Sequence, residues 1–266
     1  MTTWSRGIRR APTIRTSRLA VWAWRLVAFA IPVLILGLLA HRNGHADAEA
    51  LLAVLASGFG LAALGVMMAL VSFVVIWQTG AKGVRTALGA FMLGLLVSTV
   101  PAAALVVGLR LPLMNDITTD PILPPEFLAL APARTNAGAA VPYNIENNWP
   151  KQTEAYPRIV PLRFEADFDE AVTLVEDALA EAGWVVETIR RRDGEPRQIT
   201  FEAVARTFIV GFPDDVAIRL SEGRDFIRMD MRSASRYGRH DLGANARRIT
   251  SFLEAFDDRL RQRGRV

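Results

Sequence analysis

Arg232, Ser233, Ser235, Arg236, Arg239, His240, Asp241 and Asn245 fall in one short polar run, and Gly211, Asp214 and Asp215 form a turn not far upstream. Guanidinium forks match the geometry of phosphate and carboxylate oxygens. A helix beginning near Asp241 would add backbone N–H donors. The run therefore suits a pocket for an anionic small molecule, a lipid headgroup or an acidic patch on an envelope protein. A second reading is structural. Asp241 then caps a helix, Gly238 and Gly243 permit a turn, and the arginines pair with Asp214, Asp215 and Asp230. Hydrolysis of an ester or phosphoester, with Ser233 or Ser235 as nucleophile and His240 as base, is a third reading. Neither serine lies in a nucleophile-elbow pattern, so no catalytic residue is assigned. Asp214, Asp215, Asp230 and Asp241 could attract a divalent cation, but the arginines beside them oppose its charge. The run calls for no metal and no cofactor.

The run lies in the second of two dissimilar halves. Leu19–Ala40, Ala50–Trp77 and Ala87–Leu109 are apolar runs, each long enough for the ~20 residues that cross a bilayer as a helix. Arg6, Arg9, Arg10, Arg15, Arg18 and Arg25 precede or open the first run without an acid among them, and Lys82 and Arg85 separate the second from the third. Basic flanks remain cytoplasmic. The expected order is a cytoplasmic tail over 1–18, a three-helix transmembrane region over 19–110, a Pro-rich connection over 111–157 and an extracytoplasmic domain over 158–266. The expectation is a multi-pass protein of the inner (plasma) membrane, its N-terminus cytoplasmic and its C-terminal domain periplasmic.

The charge of +4 does not point to nucleic acid, because the basic excess sits at the N-terminal flank and Arg and acid nearly cancel from Arg158 onward. Cysteine is absent, which excludes disulfides, thiolate metal sites and a cysteine nucleophile. The second and third apolar runs hold no ionisable group, which argues against transport of charge through them. Gly58, Ala62, Gly65, Ala69 and Ser72 lay small side chains along one stripe of the second helix. That stripe suits packing within the bundle or a homo-oligomer through the second transmembrane helix.

From Pro112 to Pro161 the recurring prolines predict extended chain poor in helix, yet Phe127, Leu128, Leu130, Tyr143, Trp149 and Tyr156 are too apolar for a solvated tether. The stretch should lie against the outer domain or the membrane surface. Beyond it the pattern is α+β. Ile159–Phe164 reads as a strand. Asp167 with Glu170 is a capping signal for a helix that carries Phe168, Val172, Val175 and Leu179 on one side and stops at Gly183. Trp184–Ile189 and Gln198–Ala205 read as strands around an Asp193-Gly194 turn, and Val216–Ser221 and Phe226–Ser233 as a pair around Glu222-Gly223. Alternation in the last pair makes one sheet face apolar and the other charged. A final helix from about Asp241 repeats Leu242, Ala246, Ile249, Leu253, Phe256 and Leu260 along a stripe. The expectation is a two-layer domain, a mainly antiparallel sheet with two helices on one face.

The segment from Asp230 to Arg248, taken with Gly211-Phe212-Pro213-Asp214-Asp215, resembles the DUF1499 family. That family's pattern is a Gly-Phe-x-Asp-Asp turn followed by Arg-Ser-x-Ser-Arg-x-Gly-x-x-Asp-Leu-Gly-x-Asn. The likeness begins earlier, at Asn115–Pro121 and Pro124–Phe127, and runs through Tyr156-Pro157 to the last helix. The resemblance implies a fold and a membrane-tethered location rather than an activity. Together the readings favour a non-enzymatic membrane protein whose outer domain binds an anionic ligand or a partner through the Arg/Ser run.

Overall fold

Ser17 begins the first ordered helix by accepting a hydrogen bond from the Ala20 amide, and Asp47 does the same for the second from Ala50 at 2.7 Å. These side chains satisfy amides that a helix start leaves unpaired. The structure, a computed structural model, describes residues 15–192, 194 and 196–263. Arg6, Arg9, Arg10 and Asp193, which entered the expectations above, lie outside the described residues. The chain divides into two compact units, residues 1–103 and 104–266.

The first unit holds α1 (Arg18–Arg42), α2 (Ala48–Thr79) and most of α3 (Val84–Arg110), three helices long and apolar enough to cross a membrane. This is a membrane protein. Gly58, Ala62, Gly65, Ala69 and Ser72 are all buried. A Cβ at Gly65 would lie 2.5 Å from Val27 Cγ2 and 3.1 Å from the Ala23 carbonyl, and one at Gly58 would lie 2.5 Å from Leu34 Cδ2. The small-residue stripe is thus occupied by α1 of the same chain. The Ser72 hydroxyl donates to the Ala69 carbonyl at 2.8 Å and leaves no polar group unpaired in the seam. Outward-facing Phe29, Leu36, Val74 and Leu96 remain exposed, as lipid-facing side chains should.

The second unit is built on one antiparallel sheet. Its strands are β1 (Asp116–Thr118), β2 (Leu162–Phe164), β3 (Val185–Arg192), β4 (Gln198–Arg206), β5 (Pro213–Glu222) and β6 (Ile227–Ser235), in the order β1-β6-β5-β4-β3 with β2 also on β6. The two short strands share one edge. β1 pairs with residues 232–234 and β2 with 227–229. On one face, α6 (Phe168–Glu181) and α7 (Ala244–Arg263) cover Ile199, Phe201, Val216, Ile218, Leu220, Met229 and Met231. The period of two aims those residues at the helices, and the stripe of each helix supplies Val172, Val175, Leu179, Ile249 and Phe256 in return. This is the α+β sandwich that the pattern implies.

The opposite face departs from expectation. It carries the charged residues, but much of it is not solvated. The Pro-rich stretch folds over it, and includes α4 (Ala131–Asn136) and α5 (Ile145–Ala155) as well as β1. Prolines did not prevent the helices. Pro132 sits in the first turn of α4, where no intrahelical amide is needed. Pro150 lies inside α5, which is held by its Asn144 cap and by Gln152. Gln152 donates to the Thr118 carbonyl at 2.6 Å and accepts from the Thr118 amide at 3.1 Å. One side-chain amide thereby closes the free edge of β1.

Gly65→Leu should lower the thermal midpoint of the full chain in mild detergent by about 1–3 kcal/mol of stability, since the added side chain must push α1 away. A midpoint equal to that of the wild type would mean that the α1–α2 seam is looser than described.

Candidate functional site

β6 carries the Arg/Ser run, and its alternation splits the run between two faces. Arg232 points to the charged face. It is 1% exposed and grips Asp116 with both ends of its fork, Nε to Oδ1 at 3.0 Å and Nη2 to Oδ2 at 2.7 Å. It also donates to the Val141 carbonyl at 3.0 Å, and its guanidinium lies 4.6 Å from the Phe127 ring centre. Ser233 points the other way, beneath α7. Its hydroxyl donates to Asn245 Oδ1 at 2.7 Å and accepts from Arg248 Nη1 at 2.9 Å. Asn245 Nδ2 then donates to Ser235 Oγ at 3.0 Å and to the Asn115 carbonyl at 3.1 Å. Arg248 continues to Asp214. Beyond the strand, Arg236 returns to the charged face and meets Asp215 at 2.6 Å, where Arg134 arrives from α4 at 3.0 Å.

Each remaining residue of the run except Arg239 has a local structural task. Asp241 accepts from the Gly243 and Asn245 amides, both at 2.8 Å, and so opens α7. Gly211 and Gly243 adopt the left-handed backbone, φ 81° and 77°, that their turns require. His240 Nδ1 accepts from the Leu242 amide at 2.9 Å, which leaves the proton on Nε2. Nε2 faces the carbonyls of Gly108 and Leu111 at 3.2 and 3.3 Å, so the imidazole closes the end of α3. It does not meet either serine. Among the described residues the pairing of His240 with Ser233 or Ser235 that the hydrolase reading requires is not made. The cation reading fails similarly, because Asp214 and Asp215 face opposite sides of β5 and each is taken by arginine. Arg239 alone of the proposed residues is exposed.

The charged face holds further groups that the run did not reveal. Asp230 and Asp120 each pair with both Arg219 and Arg228, at 2.8–3.2 Å. Glu202, fully buried, accepts from the Leu128 and Leu130 amides at 3.0 Å and pairs with Arg190 at 3.3 Å. Burial and the nearby Asp116 push the Tyr143 phenol well above its ordinary pKa, while Arg232 opposes them. Tyr143 therefore stays a neutral donor.

The cover leaves a cleft of about 820 Å³ open on the β3 side of this face. Across its floor the pairing register sets Arg190 beside Thr200 and Arg219, and Arg192 beside Gln198. Arg232 and Tyr143 reach it from the covered side, and Ile122, Leu123, Pro124 and Leu128 form its apolar wall. Arg192 is exposed, and among the described residues it forms no ion pair. Arg219 Nε is buried without a hydrogen-bond partner. Among the described residues that line the cleft, Glu126 is the one carboxylate.

The family model for a protein of unknown function, DUF1499, matches residues 116–256. The chain belongs to the DUF1499 family. No curated protein and no solved structure matches it. The DUF1499 match begins at Asp116, the first residue of β1, and ends at Phe256 within α7, so it takes in the whole cover, the sheet and the greater part of α7. In this DUF1499 domain the Arg/Ser run is a two-sided fastening. One side holds the cover and the other holds α7.

Arg232→Met should destabilise the domain by about 3–5 kcal/mol, because it leaves the Asp116 carboxylate buried without its partner. Adding Asp116→Leu should recover part of that loss. Arg239→Ala should stay within about 0.5 kcal/mol of wild type. Denaturant midpoints of the three variants would show this order, and equal midpoints would contradict the network.

Proposed function

We propose that the chain is a membrane-anchored, non-enzymatic binding module whose domain lies outside the cytoplasm and takes an amphipathic anion in the cleft beside Arg192 and Arg219. One observation carries the reading. The cleft joins cations that lack a full set of partners to a wall of exposed Ile122, Leu123 and Leu128. A carboxylate or phosphate head would lie on the arginines, and an apolar body along the wall. The Arg/Ser run contributes Arg232 to this site and otherwise supports it. Orientation follows from Arg15, Arg18, Lys82 and Arg85 at the ends assigned to the cytoplasm.

A short alkyl phosphate, added to the full chain in nanodiscs, should raise the thermal midpoint, since a ligand held only by the folded state stabilises it, by about 2.7 kcal/mol at a hundredfold excess over Kd. Arg192→Glu should abolish the rise and leave the unliganded midpoint unchanged. An unresponsive wild type, or an Arg192→Glu variant that still responds, would exclude this site.

The absence of cysteine makes orientation directly measurable. In intact cells an impermeant maleimide should label Arg224→Cys, in the exposed β5–β6 turn, and spare Gln78→Cys at the end of α2. The reverse pattern would place the domain in the cytoplasm.

A further inference from the structure

The end of the sheet that receives α3 has its own chemistry. Residues 111–115, 207–212 and 236–243 meet there. The Ser235 amide donates to the Asn115 carbonyl at 2.9 Å, Asn115 Nδ2 donates to the Gly238 carbonyl, and the Asp241 amide donates to Met114 at 3.2 Å. Phe212 and Tyr237 pack with ring centres 6.0 Å apart, which ties the β4–β5 connection to the same cluster. His240 joins this end to the last turn of α3 through Gly108 and Leu111, within the same compact unit. The apolar run of α3 stops at Leu109. Arg239, next to His240 in the chain, is thereby held within a few residues of the point where the span ends.

Two features coincide at this end. Arg236, Arg239 and Lys151 line a hollow of about 390 Å³ with Asn115, Asn147 and Asn148, and among the described residues no carboxylate lines it. Arg239 is exposed and forms no ion pair among the described residues, while Lys151 is half-buried and donates to Asn147 Oδ1 at 2.7 Å. Beside it, the β4–β5 connection presents Phe208, 94% exposed, and Ile209, 62% exposed. Cations for phosphate next to projecting apolar side chains are the pattern of a surface that meets the headgroup layer. That layer extends roughly 5–7 Å beyond the hydrocarbon on each side.

We propose that this end of the domain binds anionic lipid: Arg239 and Lys151 hold the phosphate of a headgroup with net negative charge, which a zwitterionic headgroup's own ammonium would otherwise compensate, while Phe208 and Ile209 enter the interfacial layer of the bilayer that α3 spans. The site is separate from the Arg192 cleft and does not depend on it. An anionic headgroup gains from both cations, and a soluble phosphate would gain nothing from the apolar tip.

The full chain in nanodiscs of phosphatidylcholine, with and without a minor share of phosphatidylglycerol, tests this. Phosphatidylglycerol should raise the wild-type midpoint by several degrees, and Arg239→Gln with Lys151→Gln should remove the rise without changing the midpoint in phosphatidylcholine. A rise that survives the double substitution overturns the site. An equal rise with inorganic phosphate in phosphatidylcholine nanodiscs overturns the lipid as its ligand. A dye on Phe208→Cys should be quenched by lipids carrying a shallow spin label, and an unquenched dye overturns insertion of the tip.

Discussion

Burying carboxylates on the second face of a sheet is the constraint from which the rest of the domain follows. Glu202, Asp215 and Asp230 are fully buried on strands whose other side is apolar core. A buried charge is tolerated only when it is paired and hydrogen-bonded. The partners come from elsewhere in the chain: Arg134 from α4, the Leu128 and Leu130 amides from the turn before it, and Arg219 and Arg228 from the sheet itself. The cover therefore has one position, the one that closes these groups. Hydrophobic contact alone would set it less sharply, since Phe127 and Leu130 meet little more than Ala217 and Ala234 beneath them.

The same constraint decides which cations remain for a ligand. Arg232, Arg236 and Arg248 are consumed, each with its carboxylate within hydrogen-bond distance. Where the cover ends, the arginines of β3 and β5 outnumber the acids, and the cleft opens there. Density of arginine in the sequence and availability of arginine in the fold are thus different quantities. The most crowded run is the one that is most completely paired.

Much of the architecture was legible because it is local. α6 begins after Asp167 and ends just before Gly183, and β4, β5 and β6 extend only a few residues beyond the segments that alternation marks. The three apolar helices follow from length and hydropathy. The family likeness was also legible, from motifs that now prove to lie at both ends of the network. The cover was not. Pro150 signals a break, and what overrides it is the distant contact of Gln152 with Thr118. Asp116, Asp120 and Arg134 gave no periodic signal, and Glu202 showed only as a lone acid within Phe201–Ala205. The residues of the site expectation divide between two faces for a simple geometric reason. Arg232, Ser233 and Ser235 adjoin in sequence, but a strand sends neighbours to opposite faces.

β1 and its partner lie more than a hundred residues apart, Asp116 opposite Ala234 and Thr118 opposite Arg232. Pairings of such long range form slowly, because a large loop must close before any contact rewards it. As the chain leaves the ribosome, β1 emerges directly after the third apolar helix and must wait, unpaired, for nearly all of the remaining sequence. Asp116 and Asp120 stay hydrated through that interval, which keeps the waiting segment soluble. β6 supplies the partner of both β1 and β2, and α7 the second covering helix, so a chain that stops before β6 lacks the strand on which that whole edge of the sheet is built.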